Sequence, residues 1–175
     1  KLLRYTTLES SENTLDLKPF PLGDLIEETV RGMKDWLTAH GATVAHEPGE
    51  PLLIMADRLQ LSEAVKNLIE NAVKFDDKPR RHVAVRIERL GHEALLQVQD
   101  TGRGIPPEEQ DRVFTRFHQI ETYFTGQVDG WGLGLSYVKK IVEGHGGQVE
   151  LQSKLGEGTT VTLRLPLPGA SVKTR

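Results

Sequence analysis

The chain has 175 residues, 37% hydrophobic and 27% charged, which suits one globular domain with a sizeable buried core. With 22 Lys+Arg against 25 Asp+Glu the formal charge is −3, and no basic run interleaves with aromatics, so nucleic acid is not an expected partner. Cysteine is absent from the sequence, which excludes a disulfide framework, a thiol nucleophile and a thiolate metal site. No apolar run approaches the roughly 18 residues that cross a bilayer, and no signal peptide opens the chain, so no membrane contact is expected of these residues. The start at Lys1 in place of Met and the 17 glycines, above the roughly 7% average, suggest a fragment of a longer protein with its glycines gathered for a purpose.

In chain order, Leu2, Leu3, Tyr5 and Leu8 precede the polar run Glu9 to Asn13, read as the tail of a helix and a loop. Residues 1–12 are therefore taken as an appendage, 13–167 as the main domain and 168–175 as a tail. Alternation over Leu15 to Phe20 predicts a strand. Leu22, Leu25, Ile26, Thr29, Val30, Met33 and Leu37 then recur at helical spacing, predicting one helix closed by His40-Gly41. Short strands follow at 42–47 and 52–55. A long helix is predicted from Asp57 to Phe75, its apolar half formed by Leu61, Ala64, Val65, Leu68, Ile69, Ala72, Val73 and Phe75. On its other side Glu63, Asn67, Glu70, Asn71 and Lys74 share an arc of about 100°. Strands at 82–89 and 94–99 read as a hairpin across Gly91. Pro106-Pro107 opens a short helix, residues 118–131 read as a loop, Leu133 to Val142 as a helix, and 147–153 with 159–165 as a closing hairpin. The expected fold class is α/β, a two-layer sandwich with one helical layer on a mixed, mostly antiparallel sheet.

Three constellations carry chemistry. In Asp100-Thr-Gly-Arg-Gly-Ile105 a carboxylate ends a strand and two glycines let a flat group approach the backbone; a purine amino group is one partner, although Asp-Thr-Gly is also a common way to leave a strand. In Gly130-Trp-Gly-Leu-Gly-Leu-Ser136 alternate glycines expose N–H groups where a helix begins, which suits a phosphate or, equally, tight helix–sheet packing. Neither the P-loop nor the dinucleotide fingerprint fits, since Pro107 stands where the latter needs its third glycine. In Asn67-Leu-Ile-Glu-Asn-Ala-Val-Lys74 an amide oxygen can ligate Mg²⁺ beside substrate phosphates, and the alternative is a solvated polar face.

The order of these pieces, with Phe114-Thr-Arg-Phe-His118 between them, resembles the ATP-binding catalytic domain of sensor histidine kinases, in the superfamily shared by gyrase, Hsp90 and MutL. The resemblance runs from about Leu15 to Pro166 and implies a Bergerat-type ATP-binding fold with ATP and Mg²⁺ as cofactors. It implies that Asn71 ligates Mg²⁺ with Asn67 in support, that Lys74 meets phosphates, and that Asp100 accepts from the adenine amino group. Gly102 and Gly104 would shape the adenine pocket, and Gly130, Gly132, Leu133, Gly134 and Leu135 would line the phosphates. Arg116 or Gln119, at the base of the lid segment, would reach the γ-phosphate. Water-splitting relatives carry an acid where this chain has Asn67, and Glu70 lies about 100° of wheel from Asn71, so transfer to a supplied nucleophile is expected over hydrolysis.

None of the six histidines reads as the acceptor: His92-Glu lies in a hairpin and His118 in a loop. The acceptor is thus expected on a helical hairpin domain of the parent protein, of which Lys1 to Ser10 resembles the end and hinge. The implied parent is a homodimer serving a response regulator, with this domain cytoplasmic and a membrane anchor elsewhere in the parent left open. Two other readings stay open: a nucleotide-sensing regulatory module, and a relative that phosphorylates serine. Trp131 stands where the family usually has a small residue.

Overall fold

The computed structural model describes residues 14–47, 49–115 and 134–169. In chain order these form β1 (Leu17–Pro21), α1 (Leu22–Gly32), α2 (Lys34–Ala39), β2 (Ala42–His46), β3 (Leu53–Asp57), α3 (Arg58–Lys74), β4 (Arg81–Leu90), β5 (Glu93–Asp100), α4 (Pro107–Gln110), α5 (Gly134–Gly144), β6 (Gln148–Lys154) and β7 (Gly158–Pro166). The expected arm at 1–12 and the last six residues of the expected tail lie outside the described residues.

Period-two alternation gives the main sheet one apolar face. Val83 and Val85 on β4, Ala94, Leu96 and Val98 on β5, and Val161, Leu163 and Leu165 on β7 are all buried, because neighbouring strands in register place their inward residues side by side. The order is β2-β4-β5-β7-β6. Every pairing is antiparallel except the parallel β2–β4 pair, so the sheet is mixed and mostly antiparallel as expected. Helices α1, α3 and α5 cover this face with Leu22, Leu25, Ile26, Leu61, Val65, Ile69, Val138 and Val142, each 1% exposed or less. Such side chains contribute about 1.5–3 kcal/mol apiece when buried.

Two details differ from the sequence reading. The first strand does not join the main sheet: β1 pairs antiparallel with β3 in a separate two-stranded sheet. The single helix expected over Leu22 to Leu37 is two, broken at Met33 (φ −96°, ψ 0°). Gly32 weakens helix continuation there, and the break turns the chain so that Met33 and Leu37 are both buried.

The end of the sheet that carries the first glycine motif is interlocked by backbone contact. Gly104 has φ +71°, and a Cβ on it would lie 2.1 Å from the Lys154 carbonyl oxygen at the β6–β7 turn. Gly158, φ +106°, opens β7, and its Cβ would lie 2.2 Å from the Asp100 carbonyl oxygen. Ser153 completes the junction: its hydroxyl accepts from the Ile105 amide at 2.8 Å and donates to the Gly158 carbonyl at 3.0 Å.

A pair of substitutions separates backbone strain from interlock. Gly156, φ +78° with open space around it, should lose about 1 kcal/mol on change to Ala, the cost of the left-handed conformation alone. Gly104→Ala adds a collision with backbone and should lose at least about 3 kcal/mol in urea unfolding. Equal losses would show that the close approach of the two turns contributes nothing.

Candidate functional site

Helix α3 brings the amide and lysine side chains to one surface. Asp57 caps it, with Oδ1 accepting from the Leu59 and Gln60 amides at 3.1 Å each, which satisfies two of the donors a helix N-terminus leaves unpaired. Its apolar half is sunk in the core except for Phe75, which departs from the expectation in capping the helix end and standing exposed, so the polar arc predicted from the wheel has one direction to face. Asn71 and Lys74 are half-buried on that arc, and the Lys74 ammonium lies 5.4 Å from the centre of the Phe75 ring. Asn67 is deeper, 9% exposed, and its Nδ2 donates to the Glu63 carbonyl at 2.8 Å. One N–H of its amide is therefore engaged by its own helix, which orients the side chain, and its oxygen can act as acceptor.

Helix α5 begins beside Asn71. A Cβ on Gly134 would stand 3.1 Å from Asn71 Nδ2 and 3.4 Å from Oδ1, so a side chain there would cover the Asn71 amide. Leu135 follows, half-buried against the core. Of the other residues singled out in the sequence, Arg116, Gln119, Gly130, Trp131, Gly132 and Leu133 lie outside the described residues.

Asp100 ends β5, on the same face as Val98 and Leu96. Its Oδ1 accepts from the Gly102 amide at 2.8 Å and the Thr159 amide at 3.2 Å; among the described residues no donor bonds Oδ2. Burial raises the carboxyl above its ordinary 3.8, the two amide bonds oppose that rise, and the nearby Asp76 carboxylate adds to it. The result is an acceptor held rigidly at the end of a strand and partly out of water. Gly102 sits where a Cβ would be 2.8 Å from the Phe75 carbonyl oxygen, so the glycine turn lies directly on the exit of α3.

Two groups in this arrangement escape a reading of motifs. Thr159 supplies the second amide to Asp100 from 59 positions away, a relation set only by the β5–β7 register. Asp76 is 1% exposed; its carboxylate accepts from the Lys78 amide at 3.0 Å and the Thr101 hydroxyl at 3.4 Å, and its carbonyl accepts from Arg81 Nε at 2.7 Å. It ties the exit of α3 to the glycine turn. A signal existed here: Asp76-Asp-Lys-Pro79 has the form of an Asx turn. A groove of about 250 Å³ also opens beside Asp100, lined by Gln99, Gln152, Lys154, Glu157 and Thr160 among others, and it includes neither Asn67 nor Asn71.

Residues 56–169 match the family model described as histidine kinase-, DNA gyrase B-, and HSP90-like ATPase. The circadian input-output histidine kinase CikA of Synechococcus elongatus is 33% identical over 168 residues, 94% of this chain and 22% of CikA. The sensor protein SrrB of Staphylococcus aureus is 38% identical over 112 residues, 64% of this chain and 19% of SrrB. Among solved structures, full-length ShkA in complex with AMPPNP superposes with a TM-score of 0.78 at 26% identity, covering 99% of this chain and 36% of that one. The catalytic domain of histidine kinase ThkA gives 0.72 at 25% identity over 87% and 96%. The chain spans between 16% and 22% of the length of the first curated relatives it matches. Among the described residues no helix is long and apolar enough to cross a membrane. With its asparagine helix, strand-end Asp100 and glycine turn arranged on this sheet, the chain belongs to the histidine kinase-, DNA gyrase B- and HSP90-like ATPase family, as the ATP-binding catalytic domain of a sensor histidine kinase.

Proposed function

We propose that the domain binds Mg²⁺-ATP between the polar face of α3 and the start of α5, and presents the γ-phosphoryl group to a histidine on a helical hairpin of the parent protein. The observation that carries this reading is the bare Gly134 against the Asn71 amide: a side chain there would close the space a triphosphate needs. Asn71 offers an amide oxygen, a hard ligand that Mg²⁺ accepts together with substrate phosphates and water. The bound ion would supply neutralisation of charge on the phosphates. Lys74 adds positive charge one turn along. Asp100 Oδ2 accepts from the adenine amino group, and Gly102 and Gly104 shape the pocket by letting the turn pack closely on the Phe75 and Lys154 backbones.

Position 67 supports transfer over hydrolysis. A buried amide bonded to the Glu63 carbonyl is no general base, so water has no proton acceptor at the place where water-splitting relatives have one. Catalysis is then positioning and charge neutralisation. In the parent, a homodimer placing this domain on the cytoplasmic side, the phosphoryl group would pass from the histidine to a response regulator.

Incubation with labelled ATP and a separately produced hairpin domain of the parent tests the reading. Acid-labile, base-stable label on the hairpin is expected. Binding without transfer to a competent hairpin would favour a nucleotide-sensing module, and acid-stable label on serine would favour a serine-phosphorylating relative. For the metal, Asn71→Ala should weaken Mg²⁺-dependent ATP binding by at least about tenfold, or ~1.4 kcal/mol, in a titration repeated with chelator; an unchanged affinity refutes the assignment.

The raised carboxyl of Asp100 gives a pH prediction with a definite sign. The folded state holds this proton more tightly than the unfolded chain, so its contribution to stability falls as pH rises from 3.8 through the raised value and stays lower above it. Asp100→Asn should therefore remove a pH-dependent loss of stability in urea unfolding between acid and neutral pH. Adenosine binding runs the other way: in the native domain it should fall as the carboxyl protonates, and in Asp100→Asn it should be weak throughout. An Asn variant binding adenosine as well as the native domain would exclude Asp100 from the adenine site.

A further inference from the structure

Helices α3 and α5 run antiparallel. At one end Gly134 abuts Asn71, and at the other His145, just past the end of α5, meets Asp57, the cap of α3. His145 is 9% exposed and both ring nitrogens are engaged: Nε2 lies 2.9 Å from the Asp57 amide nitrogen and Nδ1 lies 2.7 Å from the Ile141 carbonyl oxygen. A backbone N–H can only donate and a carbonyl can only accept. The ring is therefore neutral, with its proton on Nδ1 and its lone pair on Nε2.

The bond has a structural reason on each side. Asp57 pairs with Leu17 on one edge, and its carboxylate holds the Leu59, Gln60 and Asp16 amides; its own N–H faces the other way, toward α5. There His145 Nε2 accepts it in a part-buried setting, and an amide withdrawn from water without a partner is costly. Through Nδ1 the same ring is fastened to the last turn of α5, where the His145 amide also bonds the Ile141 and Val142 carbonyls. One side chain thus ties the C-terminal end of α5 to the N-terminal end of α3.

We propose that His145 is a positioning residue for the phosphate site, fixing the register of α5 along α3 and with it the separation between Gly134 and Asn71 at the far end. Both helices are rigid rods of known rise, so slack at the His145 end becomes axial displacement at the Gly134 end. This inference rests on the reading that the triphosphate lies between Asn71 and the start of α5. It assigns no contact between His145 and nucleotide.

The test compares His145→Leu, which keeps the volume and loses the acceptor, with His145→Gln, whose amide offers one donor and one acceptor. His145→Leu should lose about tenfold in ATP affinity as α5 slips from its register on α3, with adenosine affinity unchanged because Asp100 is held by β5 and β7. His145→Gln should restore ATP affinity. Nitrogen-15 NMR of the native domain should show the neutral Nδ1–H tautomer, and hydrogen exchange should show the Asp57 amide protected in the native domain and in His145→Gln but not in His145→Leu. A charged ring or the Nε2–H tautomer at neutral pH overturns the proposal. So does a leucine variant that binds ATP normally, or one that loses ATP and adenosine equally. Should the native domain bind no ATP, the proposed function fails, while the tautomer and the Asp57 exchange still decide whether the clamp exists.

Discussion

The domain depends on one helix serving two masters. Helix α3 is the central piece of the helical layer, with Leu61, Val65 and Ile69 buried to 0% exposure, and the same element carries the amides and lysine of the proposed phosphate side. Because burial of the apolar half fixes the helix in rotation, the polar half needs no separate means of orientation. The ends are fixed too, by the Asp57 cap and by Asp76. The remaining parts of the site, the glycine turn and the start of α5, are placed by what they touch on this helix: Gly102 on the Phe75 carbonyl, Gly134 on the Asn71 amide.

Asp100, the proposed adenine acceptor, illustrates the opposite economy, a polar group kept at a cost. A partly buried carboxylate is less favourable than a neutral residue of the same shape, and the two amides from Gly102 and Thr159 offset that only in part, as the raised proton affinity shows. The compensation has a second effect. Both amides converge on Oδ1, which fixes the orientation of the carboxyl plane and so the direction in which Oδ2 can accept. A carboxylate free to rotate would offer the same charge without the same selectivity for a donor at one place.

Much of this was legible in the chain itself, and the pattern of success is physical. Strands β4 and β5 alternate because one face packs on the core, along β5 and at Val83 and Val85 of β4, and they appear within a residue or so of where alternation puts them. The apolar half of α3 was legible for the same reason. The break at Met33 was not, since an apolar residue at the joint keeps the helical period running through it. The separate β1–β3 sheet was equally hidden: alternation reveals a strand but not its partner. Asn67 reads identically to Asn71 on a wheel, yet one is tied back to the Glu63 carbonyl and the other faces Gly134; only depth distinguishes them. Thr159 and His145 owe their roles to contacts across 59 and 88 positions, which no local pattern encodes.

The sheet order has a bearing on how such a domain is made. Among the described strands β7 comes last in the chain, yet it lies between β5 and β6, and it delivers both the Thr159 amide and the approach of Gly158 to Asp100. During vectorial synthesis, asparagine helix and glycine turn emerge from the ribosome long before the strand that completes them. Until then β5 has an open edge, and the Asp100 carboxyl lacks one of its two anchors. Full anchoring of Asp100 is consequently a late event, coupled to closure of the sheet and not to formation of α3.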